Sequence, residues 1–300
     1  MKNIYFLFIL ALALNVVSAR PPIEGDVLDG NDFVLDVDIS NSLTNRLGNT
    51  SAPYLSDISG INGQYIPIPS YVKSEDIVQN NVMLNLNFRY GLFNYFEFFA
   101  NGNGYYQFSS SRDEGGLTKK INFANANIGL MATLYKSDTF RLIIGDNSDI
   151  IDNAIFNNSD SHINYFKGHT FFINLVSSAG NENIFFTSVT QLYYRLNMTQ
   201  AYNDMSFKNG DEYGASAFLY FGQNNTLGFV GLKGTIRDSD TIDGLRLKNN
   251  HFNGFGTGIT IGVKHDFNDH FGAKFSVNYM NYAIDYNSSD ASITVGFYIK

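Results

Sequence analysis

Asp146, Asp149 and Asp152 recur at a spacing of three, with His162 following across the same polar stretch. An Asp and His brought together there could activate a water for hydrolysis. The same spacing could offer oxygen ligands to a divalent cation, although acidic outer loops are ordinarily just solvated. No metal or cofactor is assigned on this basis. A lipase of the Ser-His-Asn kind needs a Ser and a His side by side on a lipid-facing surface, and no strand of the sequence holds that constellation. His265 and His270 flank a short turn and read as turn residues. The Gly-rich stretches precede no helix, so none reads as a phosphate loop.

A second set of charged residues is spread along the chain. Arg89, Arg141, Arg195, Lys233, Arg237, Lys264 and Lys274 all fall on the polar parity of alternating runs, as do Asp36, Asp38, Glu97 and Glu212. Asn101, Asn103, Asn125, Asn127 and Gln107 share that parity, and so do Phe99, Tyr105, Phe172, Tyr193, Phe218, Tyr220 and Tyr298. If one face of each run points into an aqueous lumen, these residues line it. Two readings of the charges stay open: a field favouring anions, or a narrow interior in which they pair with one another. The inward aromatics either line a route for apolar solutes or pack the interior.

The elements that would position these residues are strands. In Asn81 to Tyr90, Val82, Leu84, Leu86, Phe88 and Tyr90 share one parity and Asn81, Asn85, Asn87 and Arg89 the other. In a strand parity is a face. The pattern predicts strands at 32–39, 81–90, 95–108, 122–135, 139–148, 166–178, 184–197, 212–221, 227–237, 255–265, 271–281 and 290–299. Five tight connections rich in Gly, Asn and Asp (91–94, 136–139, 179–183, 222–226, 266–270) alternate with six long polar ones (40–80, 109–121, 149–165, 198–211, 238–254, 282–289). Short turns on one side and long loops on the other are the signature of an outer-membrane barrel, and twelve strands put both ends on the periplasmic side. The predicted fold is therefore all-β, a transmembrane antiparallel barrel of about twelve strands. Lipid-facing sets follow: Phe96, Phe98, Ala100, Tyr106 and Phe108; Ala124, Ala126, Ile128, Leu130, Ala132 and Leu134; Tyr213, Ala215, Ala217, Leu219 and Phe221; Ile259, Ile261 and Val263. Tyr90, Phe93, Tyr95 and Phe96 are placed at the periplasmic rim, and glycines within strands are read as relieving crowding.

Residues 1–19 carry Lys2, an apolar core from Ile4 to Val17, and small residues at the positions Val17 and Ala19 before a cleavage point. This is the pattern of a secretory signal peptide, with the barrel domain at 20–300. The lead from Arg20 to Asn31 is expected in the periplasm. The 40–80 stretch is expected as a long extracellular loop or a lumen plug. Mean hydropathy of −0.13 looks soluble because half of every barrel strand is polar. The chain has no Cys, which excludes disulfides and thiol chemistry, and its net charge of −8 has the wrong sign for nucleic acid.

Ala291 to Lys300 alternates to the last residue and resembles the C-terminal strand of bacterial outer-membrane proteins, which the barrel-assembly machinery recognises. Those strands usually finish on Phe or Trp, and here Lys300 stands instead. Phe88-Arg89-Tyr90-Gly91-Leu92-Phe93-Asn94-Tyr95-Phe96-Glu97-Phe98 is similar to a hairpin in the barrel family named for the MetA pathway of phenol degradation, and Phe267 to Phe271 partly echoes its turn. The resemblance implies outer-membrane transport, with Gly91, Asn94 and Glu97 as hairpin residues. The expectation is a Gram-negative outer-membrane channel, not an enzyme, giving passive passage to small solutes, aromatic or hydrophobic ones among them. Its partners are the lipid bilayer, the small solute and the barrel-assembly machinery. A hydrolase with a site at the extracellular rim and a closed structural or adhesive barrel are the alternatives.

Overall fold

In the computed structural model, the described residues are 21–46, 57–58, 65–66, 70–71, 77–110, 117–156, 160–180, 184–202, 205–223, 225–239, 241–246, 252–284 and 288–300. The signal-peptide residues and most of the 47–76 stretch lie outside them, and with them the question of a plug formed there.

Twelve strands carry the alternation seen in the sequence: β1 (Phe33–Arg46), β2 (Ile77–Leu92), β3 (Phe96–Ser110), β4 (Leu117–Lys136), β5 (Phe140–Phe156), β6 (Gly168–Gly180), β7 (Ile184–Asn197), β8 (Glu212–Gln223), β9 (Thr226–Asp238), β10 (Phe252–Asn268), β11 (Phe271–Ile284) and β12 (Ser288–Ile299). Each pairs antiparallel with its chain neighbours, and the β1–β12 ladder joins the two ends of the chain into a closed cylinder. Closure leaves no barrel edge unpaired, which lipid requires.

Most strands outrun their predicted spans on the extracellular side. Residues 40–46 and 77–80, expected in a loop, extend β1 and β2, and β4 reaches 20 residues. A tilted strand needs only about ten residues to cross a bilayer, so these strands project well beyond it. Above the barrel, Gln200–Tyr202, Met205–Lys208, Thr241–Ile242 and Leu245–Arg246 form a small antiparallel sheet from two outer loops.

Outward positions form the apolar belt that a bilayer demands. Leu86, Leu130, Leu219, Ile261 and Phe297 are all exposed, while their chain neighbours Asn85, Gly129, Phe218 and Thr260 turn inward. Phe93, Tyr95 and Phe96 stand exposed at the periplasmic rim. A bulge at Asn103/Gly104 against β4 shifts the parity there, so that Phe123 faces outward while Asn125 stays inside. The side chains of Ala124, Phe108, Tyr105 and Gln107 lie outside the described residues.

Twelve strands spaced about 4.8 Å apart and tilted by about 40° give a backbone radius of roughly 12 Å. Inward side chains from opposite walls do not fill that width by themselves. In its periplasmic half the chain itself supplies a further layer.

Candidate functional site

The lead before β1 is not in the periplasm as the sequence suggested. Residues 21–32 fold back into the periplasmic half of the lumen and form a strap across it. The turn at Glu24-Gly25-Asp26 makes this possible, with Gly25 at φ +79°, a conformation an L side chain resists. At its C-terminal end the strap is tied to β2: Asn31 N–H donates to the Gly91 carbonyl and Gly91 N–H to that of Asp32.

The tip is held by polar side chains from many strands. Arg141 Nη1 of β5 donates to Asp26 Oδ1 at 2.7 Å, and Lys264 of β10 donates to Glu24 and, at 2.7 Å, to the Pro22 carbonyl. Asn174 Nδ2 of β6 donates to the Gly25 carbonyl at 2.8 Å, and the Tyr220 hydroxyl of β8 reaches Glu24 at 3.4 Å. Arg89 of β2 donates to the Asp26 and Ile23 carbonyls, and Leu28 N–H donates to Glu97 Oε2. Burial works to raise the pKa of Glu24, but Lys264, then Lys274 and Arg89, outweigh it and hold the carboxyl below its ordinary value. For Asp26 burial wins over Arg141 and Arg89, and its pKa is raised.

The strap alters the balance of charge that the sequence suggested. Arg89 pairs with Glu97 at 2.6 Å, Lys274 with Asp38 at 2.7 Å and more loosely with Asp36 at 3.8 Å, and Arg195 with Asp149 at 2.5 Å. Glu24 and Asp26 supply the carboxylates for Lys264 and Arg141. Glu212 accepts from the Tyr193 and Thr235 hydroxyls and lies opposite Arg237 in the β8–β9 register. Lys233 sits 6.0 Å from the Phe218 ring centroid, and Asn101 donates to Asn127 at 2.8 Å. Lys300, which departs from the usual aromatic end, turns inward and pairs with Asp266 at 2.7 Å.

The wall of the lumen has two characters. From β3 to β10 it is rich in aromatics, and six rings each lie over a glycine directly opposite on an adjacent strand: Phe99 over Gly129, Phe172 over Gly145, Phe185 over Gly222, Tyr193 over Gly214, Phe218 over Gly231 and Phe229 over Gly262, while Tyr220 packs between Phe218 and Phe229. A Cβ built at Gly231 would lie 2.2 Å from the Phe218 ring. These glycines are slots for rings and not only relief from crowding. Val27 of the strap packs into the same cluster, with Ile23 against its edge.

Around β10 to β12 and β1 to β4 amides and hydroxyls predominate, beside the Arg89–Glu97 and Lys274–Asp38 pairs and one further ring over a glycine, Tyr298 over Gly272. Asn85, Asn103 and Asn125 stand in one cross-strand row, and Asn87, Asn101, Asn127 and Asp149 in another. Across the β1–β12 joint, Ser40 meets Thr294 at 2.8 Å, and Thr260 donates to Asn278 at 2.6 Å. A half-open cavity of about 260 Å³ at the periplasmic mouth lies between the strap and β5 to β7, with Arg141, Phe185 and Thr187 on the barrel side.

The carboxylate cluster from the sequence does not converge. Asp149 faces the lumen and is taken by Arg195, whereas Asp146 falls on the outward parity with Ile144. The side chains of Asp152 and His162 lie outside the described residues. The structure does bring together a Ser and a His that the sequence reading missed. Ser148 Oγ of β5 lies 2.5 Å from His169 Nδ1 of β6 on the outward face, 21 residues apart in sequence but opposite in register. Thr226 and His265 form a similar pair at the other rim, 2.9 Å apart, which marks a cross-strand way of satisfying polar groups in an apolar belt.

Comparison with solved structures bears on the whole cylinder. With the COG4313 outer membrane channel from Pseudomonas putida F1 the chain superposes at a TM-score of 0.59 and 12% identity, over 93% of this chain and 98% of that one. The chain is an outer-membrane β-barrel. More distant likenesses include the translocator domain of the autotransporter NalP from Neisseria meningitidis (TM-score 0.47, 10% identity, 100% and 97% covered) and the Pseudomonas putida toluene transporter TodX (0.41, 12%, 91% and 89%). No family model matches the sequence, and no curated protein matches it.

Proposed function

We propose that the barrel is a channel for small solutes whose periplasmic mouth is closed by its own N-terminal strap. The carrying observation is the way the strap is held. It sits in the lumen by side-chain hydrogen bonds and ion pairs to seven strands, with main-chain bonds only at its anchored end. A segment needed only to fill a structural barrel could be held by apolar packing, whereas polar contacts can be exchanged for water or solute with little net loss. The polar wall supports an aqueous path, and the aromatic wall supports solutes with an apolar part. The hairpin likeness to the MetA-pathway barrel family belongs to this reading, as do cleavage after residue 19 and recognition of residues 291–300 by the barrel-assembly machinery.

Planar-bilayer recording of the refolded mature protein tests it. Wild type should give brief openings and Glu24→Gln long ones. A folded Glu24→Gln barrel without conductance would refute the channel.

An outer-rim hydrolase is the second reading, favoured by Ser148 and His169 alone. Against it, Oγ meets Nδ1, and no carboxylate pairs with His169 among the described residues. Labelling by a fluorophosphonate that is lost in Ser148→Ala would reinstate it.

A further inference from the structure

Glu24, Gly25, Asp26 and Val27 present, on one turn, two carboxylates, a carbonyl and an apolar side chain. The barrel groups that receive the polar atoms are all donors: Arg141, Lys264, Asn174 and the Tyr220 hydroxyl. Beside them lies the ring cluster that receives Val27. We propose that the strap tip occupies a binding site for small carboxylates with an apolar body, and that such a solute competes with the strap for Arg141 and Lys264. This rests on the channel reading for its purpose, but not for its chemistry.

Removing the strap would affect the cations unequally. Arg89 keeps Glu97 and Lys274 keeps Asp38, because those partners are on the barrel wall. Arg141 and Lys264 are paired with the carboxylates of the strap tip, so among the described residues they are the two cations the tip's departure releases; Lys136, 3.7 Å from Asp29, sits by the anchored end. A donor set of this kind, next to apolar rings, suits an anion with an apolar side and gives a neutral hydroxyl compound or a cation no comparable partner. The strap is tethered, and its effective concentration at the site is of millimolar order, so a free carboxylate must outbid it there. An aromatic ring offers more apolar area than Val27, which favours the free solute.

Calorimetric titration of the refolded mature protein in detergent with benzoate, and separately with benzyl alcohol as the neutral analogue, tests the site. Benzoate should bind in the millimolar range and benzyl alcohol far more weakly. The double substitution Glu24→Gln with Asp26→Asn should tighten benzoate binding by roughly tenfold by weakening the competitor. Arg141→Gln, at the more exposed cation, should weaken binding while the barrel stays folded. Equal binding of the two probes, or a benzoate affinity unchanged in the double variant, would overturn the proposal. Benzoate binding without conductance in any variant would keep the site and refute the channel, whereas conductance with no preference for benzoate would do the reverse.

Discussion

The aromatic wall from β3 to β10 and the amide wall around β1 to β4 and β10 to β12 solve the same problem differently. Both must cover a curved inner surface with side chains that lipid cannot receive. On the first, clearance is created by removing a side chain: a glycine opposite each of six rings lets the ring lie over the backbone, and a Cβ there would enter the contact. On the second, asparagines reach across the ladder in rows and leave Asn85 Oδ1, Asn103 Oδ1 and Asn125 Nδ2 with no protein partner among the described residues. Those atoms can take a water or a solute group as partner. Shape therefore governs one wall and replaceable hydrogen bonds the other, and only the first is expected to be brittle.

The largest effect should come where a wall carries a buried charge. Arg195→Glu would set a second carboxylate beside Asp149 where the native pair is almost wholly enclosed, and should cost about 3–5 kcal/mol in urea unfolding of the detergent-refolded barrel. A smaller loss would mean that water reaches this pair. Next comes the aromatic wall: Gly231→Val should cost roughly 1–3 kcal/mol by displacing Phe218. Asn103→Ala on the amide wall should cost only about 1 kcal/mol, since it removes one bond to Asn125. If both substitutions shifted the unfolding midpoint equally, the contrast between the walls would fail. Smallest for the barrel itself is Gly25→Ala, which should leave the barrel's own stability unchanged and act only on the strap, weakening its seating by about 1–2 kcal/mol through the left-handed turn. Protease cleavage within residues 21–32 would report it.

Acid sharpens the strap's part of the comparison, because its two carboxyls respond with opposite sign. Glu24 has its pKa lowered in the seated state, so its contribution is complete above its ordinary value of 4.5 and is lost as pH falls through the lowered one. Asp26 has its pKa raised, so proton uptake there favours the seated state and cannot open it. Closure measured by conductance should hold as pH falls from 7 towards 5 and weaken only below 4.5. Glu24→Gln should abolish that acid step, and an acid step that survived in it would assign the opening to another group.

Much of the cylinder was legible because parity and turn chemistry are local. The span 184–197 coincides with β7, and all five tight connections fall between paired strands. The inward placement of Arg89, Glu97, Arg195 and Lys264 followed from the same parity. What was not legible depends on register. No local pattern announces that Phe218 faces Gly231 or that Ser148 faces His169, since each needs two strands aligned to the residue. The bulge beside Asn103 was hidden for the same reason, because only the partner strand reveals an extra residue. The strap was missed for a different one: Glu24-Gly25-Asp26 looks like a solvated linker until the barrel supplies Lys264 and Arg141. Alternation can indicate that a residue faces inward, but it does not tell what will be waiting there.

The strap's contacts also impose an order in time. Its tip touches β2, β3, β5, β6, β8 and β10, residues that share one space only once the sheet has curled shut. Its fixed end beside Gly91 is already at the periplasmic side, so the tip swings in without being threaded. Docking of Glu24 is thus a late event that the finished cylinder alone permits, and protection of that short segment would serve as a clock for completed assembly.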